Sequence, residues 1–179
     1  MRKLIESTFM TLNGSISNPQ NWSGPYWDDE HTAYSLGLME NTEALLLGRV
    51  TYEGFAEAWP QRSGDPYSDK FNAMPKYVAS RTLKETKWNA QLLQGDAADA
   101  VAELKQQDGG DLLKYGTGEF DKVLLERKLV DEYHFWIFPV LAGGTQMFEG
   151  IDLDINHLEL LGSTTFKSGI IVHKLAPKA

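Results

Sequence analysis

Three short segments of this chain carry residue types that can hold an anion. Gly116-Thr117-Gly118 lies between an apolar run and a helical one, where exposed backbone N–H groups and a helix dipole together favour a phosphate. The third glycine of the dinucleotide fingerprint is replaced by Asp121, so this is not the ordinary Rossmann arrangement, and a tight turn without a ligand is the alternative. In Leu46-Leu47-Gly48-Arg49-Val50-Thr51-Tyr52-Glu53 a strand enters a helix start; Arg49 can grip a phosphate with two N–H groups, with Thr51 as a further donor, or can pair with Glu53 instead. Ser80-Arg81-Thr82 sets a guanidinium between two hydroxyls at a strand end, which is what a ribose 2′-phosphate requires.

Other candidates are weaker. Trp22, Tyr26 and Trp27 can stack on a flat heterocycle or pack beneath their own loop. His134, His157 and His173 have no zinc spacing, and no metal site is expected.

Elements that alternate along the chain must position these residues. Apolar runs at 4–12, 44–48, 76–80, 91–94, 111–115 and 132–140 read as strands. Helical patterns fall at about 28–40, 50–58, 68–73, 97–107 and 119–128. Val50, Phe55 and Trp59 are the expected core residues of the second helix. Two extended runs, 157–166 and 170–175, flank Lys167-Ser168-Gly169 and form a hairpin. The expected fold is a single α/β domain over residues 1–179, three-layered, with a mostly parallel sheet and a C-terminal antiparallel hairpin. Ligands of such sheets bind at the carboxyl ends of the strands, where all three anion-suited segments fall.

Composition narrows the function. The 179 residues include 17 Lys+Arg against 25 Asp+Glu, a net charge of −8, which disfavours nucleic acid and anionic membranes as partners. No run approaches the ~20 apolar residues of a membrane helix, and the absence of cysteine suits a reducing, cytoplasmic setting. The strand from Glu132 is apolar on both faces, so it is either central in a covered sheet or buried between two copies; a homodimer is expected.

In combination, Ser7-Thr8-Phe9-Met10-Thr11-Leu12-Asn13-Gly14, Leu47 to Glu53, Ser80-Arg81-Thr82, Tyr115-Gly116-Thr117-Gly118-Glu119-Phe120 and Leu129 to Thr145 resemble the dihydrofolate-reductase-like family. Within it the chain is most similar to the C-terminal reductase domain of riboflavin biosynthesis. The resemblance implies NADPH, with Gly48, Arg49 and Thr51 at its phosphates, Ser80, Arg81 and Thr82 at its 2′-phosphate, and Gly116, Thr117, Gly118, Glu119 and Phe120 at its pyrophosphate. It also implies hydride transfer to a heterocyclic or sugar-bearing substrate, as in 5-amino-6-(5-phosphoribosylamino)uracil reductase. Other same-fold readings are a reductase of dihydrofolate or a small carbonyl compound, or an NADPH-binding module without turnover. The chain departs from the family at Asn13, where Asp is usual, and at Lys114, where a substrate-facing Glu is usual. Asn13, Lys114, Trp22 and Trp27 are the implied substrate contacts. The nearest candidates for the carboxylate proton donor that the resemblance implies are Asp28, Asp29 and Glu30, with His31 beside them, Asp28 and Glu30 foremost, or else these acids cap the helix they begin.

Overall fold

A computed structural model describes residues 1–178. Its strands are β1 (Leu4–Thr11), β2 (Thr42–Gly48), β3 (Lys76–Ala79), β4 (Ala90–Leu92), β5 (Asp111–Tyr115), β6 (Glu132–Phe138), β7 (Leu158–Thr165) and β8 (Ile171–Pro177). The helices are α1 (Asp29–Met39), α2 (Arg49–Ala58), α3 (Pro66–Ala73), α4 (Ala97–Gln106) and α5 (Glu119–Glu126). One sheet runs in the order β4-β3-β2-β5-β1-β6-β8-β7. Strands β4 to β6 are parallel, whereas β8 is antiparallel to both β6 and β7.

Side-chain alternation along the strands builds the layers. On one face Leu45, Leu47, Val78 and Leu113 pack with Met39, Tyr52, Ala56 and Phe71 from α1, α2 and α3. On the other, Leu4, Ala44, Leu46 and Leu112 pack with Val101, Leu104 and Leu124 from α4 and α5. Each fully buried Leu contributes about 1.5–3 kcal/mol of transfer free energy. Beyond α1, Trp136, Phe138, Phe166 and Val172 form a third cluster that takes in Trp22, Tyr26 and Tyr34.

Two sequence expectations change. Helix α2 starts directly from β2 at Arg49, which turns Val50 outward to 74% exposure and leaves Tyr52, Ala56 and Trp59 as its buried face. Strand β6 is paired on both sides, by β1 and β8, and both of its faces carry buried aromatics. Its apolar character is therefore satisfied within one chain. Among the described residues no helix is long and apolar enough to cross a membrane, and no cluster of His, Asp or Glu could hold a metal ion.

Candidate functional site

Adjacent parallel strands bring the three anion-suited segments to one rim. β2 and β5 are neighbours, so Gly48 and the turn Gly116 to Gly118 emerge side by side. A Cβ on Gly48 would lie 3.7 Å from Phe120 Cβ, and one on Gly116, at φ +70°, would lie 3.1 Å from Thr51 Oγ1. From the end of β3, Arg81 reaches Glu119 in the first turn of α5, Nη2 to Oε2 3.7 Å. Arg49 pairs along its own helix with Glu53 at 2.9 Å, both half-exposed. Ser80 Oγ accepts from the backbone N–H groups of Thr82 and Leu83, at 3.2 and 2.9 Å, which fixes the loop that carries Arg81.

The helices that start at this rim differ from the rest. Asp28, Asp65 and Asp96 cap α1, α3 and α4 with their side chains, each cap contributing about 1 kcal/mol. Helices α2 and α5 begin after Gly48 and Gly118 with no side-chain cap on their first N–H groups. Those groups carry the positive end of the helix dipole and mostly lack an acceptor within the helix, though in α5 the Asp121 N–H already donates to the Gly118 carbonyl at 2.9 Å. Among the described residues, the buried Oγ1 of Thr117, in the turn between β5 and α5, has no hydrogen-bond partner, and a Cβ on Gly118 would meet no atom within 4 Å. Helix starts whose first N–H groups meet no side-chain acceptor, an unpartnered hydroxyl and open space beside a glycine form a cradle that fits a pyrophosphate, although the Gly118 N–H itself is taken by Asp121.

Lys114 holds this cradle from below. It is 2% exposed, which corrects the expectation of a substrate contact. Its Nζ lies 2.7 Å from Asp121 Oδ1 and 3.5 Å from Glu6 Oε2, and donates to the Gly116 carbonyl. Asp121 Oδ2 in turn accepts from the Gly118 N–H at 2.6 Å. Burial pushes the Glu6 carboxyl well above its usual value, against the attraction of Lys114 and with the repulsion of Asp121. Burial acts to lower the Lys114 ammonium, but the two carboxylates outweigh it and raise it.

The other expected site residues are engaged elsewhere. Asp28 Oδ1 accepts from the His31 N–H at 2.8 Å, and Glu30 Oε2 from the Lys167 N–H at 2.7 Å. One caps α1 and the other ties α1 to the turn before β8, so the structure shows neither as a free acid facing a pocket. Asn13 Oδ1 accepts from Thr11 Oγ1 and the Ala142 N–H, while its Nδ2 donates to the Ala142 carbonyl at 2.9 Å. An aspartate could not make that last bond, which is a physical reason for the amide here. Trp22 donates to the Ser17 carbonyl and packs edge-on against Phe138.

Residue spacing alone did not single out His31. With Ser35 and Met39 it forms the buried i, i+4, i+8 stripe of α1, and a histidine on such a stripe is the signal available in the sequence. The residue is 1% exposed, and among the described residues neither ring nitrogen has a hydrogen-bond partner. It lies against Phe9, Trp136 and Trp27, with centroids 5.5, 4.8 and 4.2 Å away. Burial lowers its pKa to about 4 despite the nearby Asp28 carboxylate. Leaving a polar group buried and unbonded costs about 1–3 kcal/mol. By contrast His134 is fully bonded, to Tyr34 Oη and Glu132 Oε1, both at 2.7 Å. Burial pushes the Tyr34 hydroxyl up to about 12, so it stays protonated and orients the imidazole. A groove of about 390 Å³ between Ala56, Pro60 and Trp88 lies by the far end of α2, away from the rim.

Comparison with known proteins agrees with this architecture. The family model of the RibD C-terminal domain matches residues 2–172. A putative riboflavin biosynthesis protein from Shewanella sp. PV-4 superposes with a TM-score of 0.76 at 22% identity, over 99% of both chains. The diaminohydroxyphosphoribosylaminopyrimidine deaminase/5-amino-6-(5-phosphoribosylamino)uracil reductase of Thermotoga maritima gives 0.68 at 15% identity, over 99% of this chain and 57% of that one. Dihydrofolate reductase from Enterococcus faecalis, complexed with NADP(H), gives 0.61 at 13% identity, over 99% of this chain and 97% of that one. The fold is dihydrofolate-reductase-like.

Proposed function

This chain belongs to the RibD C-terminal domain family, and from that premise we propose that it is an NADPH-dependent reductase. The substrate class is a small heterocyclic or sugar-bearing compound, most similar to that of 5-amino-6-(5-phosphoribosylamino)uracil reductase. The observation that carries the reading is the rim itself: three strand ends able to hold an anion, gathered around two helix starts without side-chain caps. Gly48, Arg49 and Thr51 would hold phosphate oxygens, the turn Gly116 to Phe120 the pyrophosphate, and Ser80, Arg81 and Thr82 the 2′-phosphate. Bound there, NADPH would supply a hydride from its nicotinamide to a polarised C=N or C=O. The protein's own part is to align the reactants and exclude water. A cytoplasmic location and a homodimer belong to the same proposal; the former is supported by the absence of cysteine, the latter by the exposed strand β7.

Arg81 gives the test. It is exposed and pairs with Glu119 only at 3.7 Å, so it is available to a dianion. Arg81→Ala should weaken NADPH binding by about 10- to 100-fold, the worth of a charge-assisted hydrogen-bonded pair. NADH lacks the 2′-phosphate and should bind within about twofold of its wild-type affinity on the same reasoning. Titration of cofactor fluorescence reads both, and an equal loss for the two cofactors removes this reading.

The engagement of Asp28 and Glu30 favours a second reading, an NADPH-binding module without turnover. Absorbance at the nicotinamide band decides. Steady NADPH oxidation with a riboflavin precursor, dihydrofolate or a simple carbonyl selects the reductase; tight binding with no oxidation across that panel selects the module.

A further inference from the structure

Glu6 lies just below the point where the proposed pyrophosphate turn leaves the sheet. Its register partners are Lys114 on β5 and Tyr133 on β6, and the next residue, Ser7, accepts the Gly116 N–H on its carbonyl at 3.3 Å. Glu6 is fully buried, and among the described residues neither carboxyl oxygen has a hydrogen-bond partner; Lys114 Nζ comes no closer than 3.5 Å. Asp121 is held better, with Oδ1 2.7 Å from the same ammonium and Oδ2 accepting the Gly118 N–H. The remaining neighbours are neutral or paired. Burial holds the Tyr133 hydroxyl above its usual range, so it faces Glu6 protonated, and Asp131, beyond it, pairs with Lys105 at 2.6 Å.

One ammonium therefore stands between two buried carboxyl groups. With both ionised, the cluster carries a net charge of −1 beneath a turn that is to receive an anion, in a setting where water screens little. With a proton on one of them the charge is zero. Asp121, bonded to an ammonium and an N–H, is held in its ionised form, so the proton falls to Glu6. Burial, and the repulsion of Asp121, push Glu6 the same way. We propose that Glu6 is a proton-linked positioning residue of the cofactor turn: it carries a proton in the NADP(H) complex and takes that proton up on binding wherever the free protein has left it ionised. The inference deepens the function proposed above and rests on it for the ligand. The proton comes from solvent and ends on a Glu6 carboxyl oxygen, beside the Asp121 carboxylate that can accept its hydrogen bond. Linkage is reciprocal, so protonation of Glu6 strengthens cofactor binding by the same factor that binding favours protonation. A cluster that merely braces the turn would exchange no proton.

Calorimetric titration of NADP⁺ between pH 7 and pH 9, in phosphate-free buffers of low and of high ionisation enthalpy, counts the protons taken up on binding. The wild type should take up part of a proton within that range, and its affinity should fall by about tenfold from the lower to the higher pH, the equivalent of one unit of pKa linkage. Glu6→Gln has the size of the protonated acid and cannot ionise. Its proton uptake should be lost, and at pH 9 it should bind NADP⁺ about tenfold more tightly than the wild type. The wild-type proton count stands as a test even if that variant folds poorly. NADP⁺ binding without proton uptake at any pH in the range, or uptake that persists undiminished in Glu6→Gln, overturns the proposal and leaves the cofactor reading intact. Absence of NADP⁺ binding at every pH sinks the cofactor reading and this proposal with it.

Discussion

His31 loses its hydration on folding and gains no hydrogen bond, and that imbalance has a consequence in pH. The imidazole titrates at about 4 in the fold against an ordinary value of 6.5, because burial opposes its charged form. The unfolded chain therefore binds a proton here before the native chain does, and stability falls as pH drops from 6.5 toward 4. Between pH 7 and pH 4.5 this one group removes about 2–3 kcal/mol. His31→Phe cannot titrate, so its urea-unfolding free energy should fall less than the wild type's over that interval, by about that amount. A constant difference between the two proteins at both pH values would show that His31 keeps its ordinary pKa. Asp28 and Glu30, two neighbours on the same helix start, teach the reverse lesson. Their carboxylates accept backbone N–H bonds within the fold, and residue type alone could not separate that use from catalysis.

The strand-to-helix turn at Gly116 shows what one element needs from its neighbours. Lys114 on β5 meets Glu6 on β1 at a paired register position, and Asp121 comes to both from the first turn of α5. Removing the cation leaves two carboxyl groups buried without it, a loss of about 3–5 kcal/mol. Lys114→Met should lower the unfolding free energy by about that amount and weaken NADPH binding through the loosened Gly116 to Gly118 turn. Glu6→Gln should be milder, because burial already favours the protonated form of that carboxyl. Urea unfolding of the two variants side by side orders them, and a neutral Lys114→Met would mean that the cluster is not what holds the turn. The sequence carried part of this. Period-two alternation puts Lys114 on the same face as Leu112, under α5 and away from solvent. That Glu6 and Asp121 would meet it there depends on register and helix docking, which no local pattern encodes. The order of strands and helices was legible because each element has its own periodicity and stop signal, and the three anion-suited segments were legible because they sit at strand ends. Val50 was misplaced because α2 starts without a loop, and the direct exit from β2 sets which side of the helix faces inward.

At the scale of the whole molecule, the two ends of the sheet are unlike. β4 ends one edge with three residues, whereas β7 ends the other with eight, exposed along nearly all its length. Strand β6, whose two apolar faces first suggested a partner, is enclosed by β1 and β8 and no longer carries that argument. β7 carries it instead. Leu158, Leu160 and Leu161 are 38%, 58% and 48% exposed, Glu159 is the one charged residue in the strand, and one side of its backbone has no neighbouring strand among the described residues. An open edge with apolar side chains is a template for pairing, and natural edges are otherwise guarded by lysine, proline or cover. A second copy of this chain along β7 would bury those leucines and close the edge. Each copy carries a net charge of −8, so the two repel at long range, and added salt should strengthen the dimer by screening that repulsion. Light scattering at micromolar concentration should give twice the chain mass for the wild type. Leu160→Lys and Leu161→Lys should give the chain mass itself, with folded stability within about 0.5 kcal/mol because both positions are at the surface. A wild-type protein that stays monomeric across that concentration range and in high salt would leave β7 without a partner of its own kind.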